Sequence, residues 1–224
     1  MLSKILRVIL GFLLLPFCFA LTRAFFQVLV NAQASIAKAL WLIGGISLFV
    51  ACWYLLPRPV KLYVLGHELT HALWGLLFFA KPSKLRVTEK GGSVNLTKTN
   101  ILITLAPYFF PFYTFIVILT ALITRIFIEP LPYIPVWLFF IGATWAFHVL
   151  FTMETLTQHQ PDITVYGRVF SWVFIFVVNV LLILVWLAYV TSTFNFAMSA
   201  TVKCTIEAYE WTYNLILYLI SLFR

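Results

Sequence analysis

The chain has 224 residues, of which 63% are hydrophobic and 10% are charged. A soluble globular domain is about 45–50% apolar and about 25% charged, so the composition excludes an ordinary soluble domain and predicts a polytopic membrane protein. The net charge of +8 does not indicate nucleic acid, because Lys and Arg lie mainly between and beside the apolar stretches. Three widely spaced cysteines predict neither a disulfide framework nor a thiolate zinc site.

Apolar segments reach or approach the length of about 20 residues with which a helix crosses a bilayer. They run over about 5–30, 36–56, 62–80, 101–127, 136–157 and 169–190. The first could pass for a secretory signal, but its apolar character resumes after Arg23, so we interpret it as an uncleaved span. The predicted fold is an all-α polytopic membrane protein with about six transmembrane helices. We expect a single integral membrane domain over 1–224 with a core over about 61–192.

The longest polar stretch, 81–100, predicts a short β-hairpin between the third and fourth spans. Apolar and polar residues alternate on both sides of Gly91-Gly92. A two-residue turn at these glycines would place Val87 opposite Leu96. A short solvated loop is the alternative, since isolated hairpins are weak.

Two further features concern the second half of the chain. Pro107 and Pro111 predict a kink in the fourth span, because proline removes a backbone donor. Over about 199–224, apolar residues recur at three- and four-residue steps, which predicts an amphipathic tail helix. That helix would lie along the membrane surface or pack on the bundle.

The segment Gly66-His67-Glu68-Leu69-Thr70-His71 carries the strongest functional signal. His67 and His71 are four residues apart, so both imidazoles lie on one helix face where they could bind a single Zn²⁺. Glu68 lies beside that face as a candidate general base. Ionisable groups inside a span cost roughly 2.5–3.5 kcal/mol each and rarely persist without a role. A helix end whose polar residues reach the headgroups is the structural alternative.

A catalytic zinc site takes three protein ligands, so another His, Asp or Glu must join the two histidines. The plausible donors near membrane depth are His148, Glu154, His159 and Asp162. Glu154 points about 120° away from His148 on a helical wheel, which favours a contact with another helix. Asp162 follows Pro161, so it could equally be a carboxylate at the start of a helix. Spacing alone leaves the third ligand open.

A polar stripe on the fifth span contains His148 and Thr152. Thr144, Thr155 and His159 extend it at about 100° per residue. A polar stripe inside a span should face the interior of the bundle. We therefore expect His148 and Thr152 to contact a substrate or to orient the site, with an interhelical hydrogen bond as the alternative.

These elements resemble the site-2 protease family of intramembrane zinc metalloproteases. The match covers about 64–180 and consists of the motif helix, the Gly-bearing hairpin, a Pro-containing span and a distal Asp. Asp162 departs from the family pattern, in which Gly follows the Asp, because its neighbours are Pro161 and Ile163. The chain resembles a compact or divergent member.

The resemblance implies one Zn²⁺ per chain, held by His67, His71 and Asp162, with Glu68 as general base for peptide-bond hydrolysis. It implies a membrane protein substrate with a transmembrane helix, which an exposed hairpin edge near Asn95 could capture as an added strand. The expected partners are this substrate and the lipid bilayer, without nucleic acid. The expected location is the cell membrane, as a multi-pass integral protein.

Two alternatives share the same motif. One is a membrane zinc protease of another family, with Glu154 as the third ligand. The other is a non-catalytic zinc-binding membrane protein, such as a chaperone-like binder or a metal-ion carrier. A requirement for Glu68 in activity but not in metal binding would exclude the non-catalytic reading.

Overall fold

The structure is a computed structural model that describes residues 4–31, 36–128, 133–158, 160–190 and 193–222. Helices make up most of these residues, and the strands form one antiparallel hairpin. The helices are α1 (Lys4–Leu13), α2 (Leu15–Asn31), α3 (Ile36–Leu55), α4 (Val60–Leu77), α5 (Ile101–Phe109), α6 (Phe112–Phe127), α7 (Ile134–Thr157), α8 (Pro161–Tyr166), α9 (Arg168–Val190) and α10 (Phe194–Ser221). The strands are β1 (Pro82–Thr88) and β2 (Gly91–Leu96). The predicted helical fold with a hairpin is therefore confirmed.

The chain forms two compact units. The central unit is Ser35–Asp162, and the terminal unit combines Met1–Ala34 with Ile163–Arg224. The motif helix, the hairpin and Asp162 all belong to the central unit. The single membrane domain expected over 1–224 stays a prediction.

Four helices in the described part of the chain are long and apolar enough to cross a membrane. They are Lys4–Asn31, Ala37–Leu55, Ile134–Thr157 and Arg168–Ala188. The bent pair α5 and α6 raises the number to five if it counts as one span. The predicted six spans are not confirmed. The third of them corresponds to α4, whose charged and imidazole side chains make it less apolar than these helices.

Close packing of α3 against α7 supports the central unit. A Cβ atom at Gly45 or Gly142 would overlap a backbone carbonyl of the facing helix, so the two backbones approach as small residues permit in membrane bundles. An aromatic cluster continues from this contact to α4, where the Tyr63 ring stacks on Phe151 at 4.7 Å between centroids. This cluster fixes the orientation of the motif helix.

The hairpin has a different register from the predicted one. Thr88 pairs with Gly91 and Val87 pairs with Gly92, so the turn lies at Glu89 and Lys90 and not at the glycines. The expected pairing of Val87 with Leu96 is wrong. The reason lies outside the hairpin, because Gly92 is needed within β2, where its backbone approaches α4.

The predicted kink lies between α5 and α6. The two helix axes bend by 78° at a break of two residues, Phe110 and Pro111. Pro107 lies inside α5, so the break itself occurs at Pro111. At its other end, α5 begins at an N-cap in which the Asn100 side chain accepts a hydrogen bond from the Ile103 N–H, at 2.9 Å.

The tail helix α10 begins at Phe194, earlier than the predicted 199, and its bulky apolar residues do not face the protein. Its buried face is a stripe of small residues that packs on α2 in the terminal unit: Ala197, Ala200, Cys204 and Ala208. Bulky positions of the predicted pattern, such as Val202 and Ile206, are more than half exposed. Small residues let helix backbones approach closely, whereas bulky apolar side chains gain nothing by leaving lipid.

Candidate metal centre

The motif helix α4 presents two imidazoles to one carboxylate. His67 and His71 lie one turn apart, with 4.9 Å between ring centroids. Their Nε2 atoms lie 3.4 and 3.3 Å from Asp162 Oδ2. One potential ligand atom from each of the three residues lies within 4.8 Å of the others. The distal Asp is therefore brought to the motif, although 91 residues separate it from His71.

These donors fit a zinc ion. Atoms that lie about 2.0–2.2 Å from one tetrahedral ion are about 3.3–3.6 Å apart, which matches the separation of each Nε2 from Asp162 Oδ2. Two imidazoles with one carboxylate is also a ligand set of catalytic zinc sites, which leave one position for water. Both histidine side chains are 12% exposed and Asp162 is 27% exposed, so the group lies at the wall of a cavity.

Neighbouring groups orient both imidazole rings. His71 Nδ1 lies 2.9 Å from the Ile103 carbonyl oxygen and donates its proton there, while Nε2 faces the Asp162 carboxylate. The Tyr63 hydroxyl lies 3.5 Å from His67 Nδ1, a much weaker contact. The two histidines therefore differ in how firmly the protein holds their outer nitrogens.

Asp162 lies at the start of α8, where Tyr108 supports it. The Tyr108 hydroxyl, on a fully buried side chain, donates to Asp162 Oδ2 at 3.2 Å. Burial alone would raise the pKa of Asp162, but hydrogen bonds from His67 and His71 outweigh burial and hold the pKa well below its ordinary value. The carboxylate is therefore in the ionised form that binds a cation.

Glu68 is held beneath the hairpin. Its side chain is buried, and the backbone N–H of Val94 donates a hydrogen bond to the carboxylate. Gly92 permits this approach, because a Cβ atom there would lie 2.7 Å from Glu68 Cγ and 2.6 Å from Val64 Cγ1. This contact explains why the second glycine belongs to β2.

Gly92→Ala should therefore destabilise the protein. The added methyl group must displace β2 or the Glu68 side chain, and overpacking of this kind costs about 1–3 kcal/mol. We expect a lower apparent Tm in detergent. Ser93→Ala, at the neighbouring exposed position of β2, is the control and should shift stability by less than about 0.5 kcal/mol. Equal melting temperatures for both variants would contradict the close contact between β2 and α4.

A large cavity of about 1050 Å³ opens beside the three candidate ligands. Its walls come from α4, the hairpin, the end of α7 and the start of α8. Many of the lining side chains are polar: Glu68, Glu89, Lys90, Ser93, Asn95, Thr99, Thr104, Glu154, Thr155, Gln158, Gln160 and Asp162. A cavity of this size accommodates an extended peptide segment of several residues.

Of the other candidate ligands, Glu154 lies near the three-residue group without belonging to it. Glu154 lines the large cavity, but it forms an ion pair with Arg58 and does not belong to the metal-binding group. Arg58 is in turn placed over the Trp53 ring, 4.4 Å from its centroid. The expected partner of Glu154 was another helix, whereas Arg58 lies in the segment before α4. His159 lies outside the described residues.

Of the three residues predicted to contact a substrate, one lines the large cavity and two do not. Asn95 is exposed on β2 and lines the large cavity. His148 and Thr152 are buried, and neither is among the residues that line the large cavity. His148 hydrogen-bonds to the backbone carbonyl of Tyr108, which is the interhelical alternative considered for it. The Thr152 hydroxyl has no hydrogen-bond partner in the described part of the chain.

Sequence reasoning missed Tyr63, Tyr108 and the Ile103 carbonyl, which contact the candidate ligands His67, Asp162 and His71 respectively. The tyrosines are ordinary aromatic residues within apolar segments, and a backbone carbonyl carries no sequence signal. The four-residue spacing of Tyr63 and His67 on α4 is the one pattern that could have indicated a contact.

Comparisons of the chain with protein-family models, with curated proteins and with solved structures found no match.

Proposed function

We propose that this protein is an intramembrane zinc metalloprotease of the site-2 protease type. The observation that carries the proposal is the meeting of His67, His71 and Asp162 beside the buried carboxylate of Glu68, at the wall of a large polar cavity. Helices long and apolar enough to cross a membrane surround this arrangement in sequence. We place the protein in the cell membrane, with one Zn²⁺ per chain.

In this proposal, different residues of the chain bind the metal ion and transfer the proton. His67, His71 and Asp162 hold the ion. A bound Zn²⁺ supplies a water molecule of lowered pKa and polarises the peptide carbonyl. Glu68 accepts a proton from the attacking water and passes it to the nitrogen of the leaving amine. The Val94 N–H orients the Glu68 carboxylate for this transfer.

We propose that the substrate is a transmembrane segment of another membrane protein. A helical segment binds its own peptide groups in internal hydrogen bonds, so the scissile bond must first be unwound. Among the residues that the structure describes, β1 and β2 form a two-stranded sheet, in which β2 pairs with β1 along one edge. Asn95 and neighbouring residues of β2 line the cavity, where an unwound segment could add as a strand.

Purified protein in detergent provides the test. We expect about one equivalent of zinc per chain, with cleavage of a synthetic transmembrane peptide. A chelator should abolish cleavage, and added Zn²⁺ should restore it, because the attacking water depends on the ion. Stoichiometric zinc without cleavage of any of a panel of transmembrane peptides would favour the non-catalytic zinc-binding alternative.

A further inference from the structure

His148 is a buried histidine on α7 that is 7% exposed, and its two nitrogens are treated differently by the protein. One nitrogen donates to the backbone carbonyl of Tyr108, in the last turn of α5, where carbonyls lack helical partners. The other, Nε2, has no hydrogen-bond partner among the residues that the structure describes. Because Nδ1 carries the proton in this arrangement, Nε2 is a buried acceptor that needs a donor.

His148 and His67 both line a second, small cavity, and Glu68 is not among its lining residues. The cavity has a volume of about 20 Å³, and its polar lining side chains are Tyr63, His67, Thr70, Tyr113 and His148. The Thr70 and Tyr113 hydroxyls already donate to backbone carbonyls, whereas His67 Nδ1 and His148 Nε2 still need partners. A water molecule needs about 10–15 Å³ of such space and at least two polar partners. The cavity therefore has room for one water molecule and for little else.

His67 needs an acceptor in the same region. When its Nε2 binds a metal ion, its Nδ1 carries the proton, and ligand histidines nearly always donate that proton to a carbonyl, a carboxylate or a water. The Ile103 carbonyl meets this need for His71, whereas His67 Nδ1 has the Tyr63 hydroxyl at 3.5 Å. That separation is too long for a strong hydrogen bond.

We infer that the small cavity binds one ordered water molecule, which accepts the proton of His67 Nδ1 and donates to His148 Nε2. His148 is then a positioning residue that orients a metal ligand through this water. The inference rests on the metal centre of the proposed function. It does not require that the protein hydrolyse peptide bonds.

Two substitutions separate the two hydrogen bonds of His148. His148→Asn keeps a donor near the position of Nδ1, for the Tyr108 carbonyl, but removes the group at Nε2. His148→Gln keeps a polar group near Nε2 and weakens the bond to Tyr108. We expect His148→Asn to raise the zinc dissociation constant about 10–100-fold with little change in apparent Tm. His148→Gln should lower Tm while the dissociation constant stays within about threefold of wild type.

The measurements are zinc competition with a chelator and thermal unfolding of the metal-free protein, both in detergent. Thr114→Val is the control, because it removes a different buried polar group that has no partner among the described residues, and Thr114 does not line the small cavity. Wild-type zinc affinity in His148→Asn would overturn the inference. A loss of affinity that follows the loss of Tm in both His148 variants would also overturn it, since that is the result of a purely structural role.

The wild-type protein offers a second measurement, independent of how the variants fold. In ¹⁵N NMR spectra of histidine-labelled protein, His148 should be the Nδ1–H tautomer with a hydrogen-bonded Nε2, and a free Nε2 would overturn the inference. Failure of the proposed function would give a different experimental result. It would be zinc binding without cleavage, under which the affinity pattern of the His148 variants still decides the inference.

Discussion

Glu68→Gln is expected to leave about one zinc per chain and to reduce cleavage of a transmembrane peptide by at least about 10²-fold. Glutamine has the shape of glutamate and can still occupy the space beneath Gly92, but its amide cannot accept the proton of the attacking water. General acid–base catalysis contributes typically about 10²–10⁴-fold to a rate. The three candidate ligands are unchanged in this variant, so metal binding should persist.

Zinc content and initial cleavage rates should be measured on the same preparation. Glu210→Gln, which also neutralises a carboxylate but lies exposed on α10, is the matched control and should retain both properties. Wild-type cleavage by Glu68→Gln would sink the protease proposal. It would leave a metal-binding membrane protein in which Glu68 has another role.

Asp162→Ala is expected to lose zinc, whereas Glu154→Ala keeps it. Changes to residues that only support a metal ligand lower affinity about 10–100-fold, and removal of a ligand should exceed that range. Asp162 Oδ2 lies within 3.4 Å of both imidazole Nε2 atoms. Glu154 is engaged by Arg58, a partly exposed pair that contributes about 0–1 kcal/mol to stability.

The test is zinc retention after competition with a chelator, for both variants in parallel. Asp162→Asn adds a useful intermediate, because it keeps a ligand oxygen but not the charge. If Glu154→Ala loses zinc and Asp162→Ala retains it, the site belongs to the other protease family considered above. Retention by both variants would assign the third ligand to neither residue.

Several properties follow from local patterns in the sequence. The juxtaposition of His67 and His71 could be predicted because a helix brings residues four apart to one face, whatever surrounds it. The helical membrane-type fold could be assigned because it depends on the length of apolar runs. The hairpin could be predicted because strand alternation and turn residues lie within 20 positions of the chain, over 81–100.

Other properties depend on groups that are distant in sequence. The hairpin register is decided by the contact of Gly92 with Glu68, which no pattern within β1 and β2 contains. The buried face of α10 is decided by α2, because lipid accepts bulky apolar residues that water would drive inward. The count of spans differs because the site residues themselves lower the apolar character of α4.

The candidate third ligand shows most clearly the difference between what local sequence determines and what tertiary structure determines. Asp162 and Glu154 are both carboxylates near the end of α7, and by sequence alone either could join His67 and His71. Tertiary packing separates the two candidates, because Arg58 engages Glu154 while Tyr108 and the two imidazoles engage Asp162. Helical periodicity reaches only a few residues along a chain, so it predicts two ligands on one helix. The choice of a ligand from a distant element depends on which charged and hydrogen-bonding groups the folded chain places around each candidate.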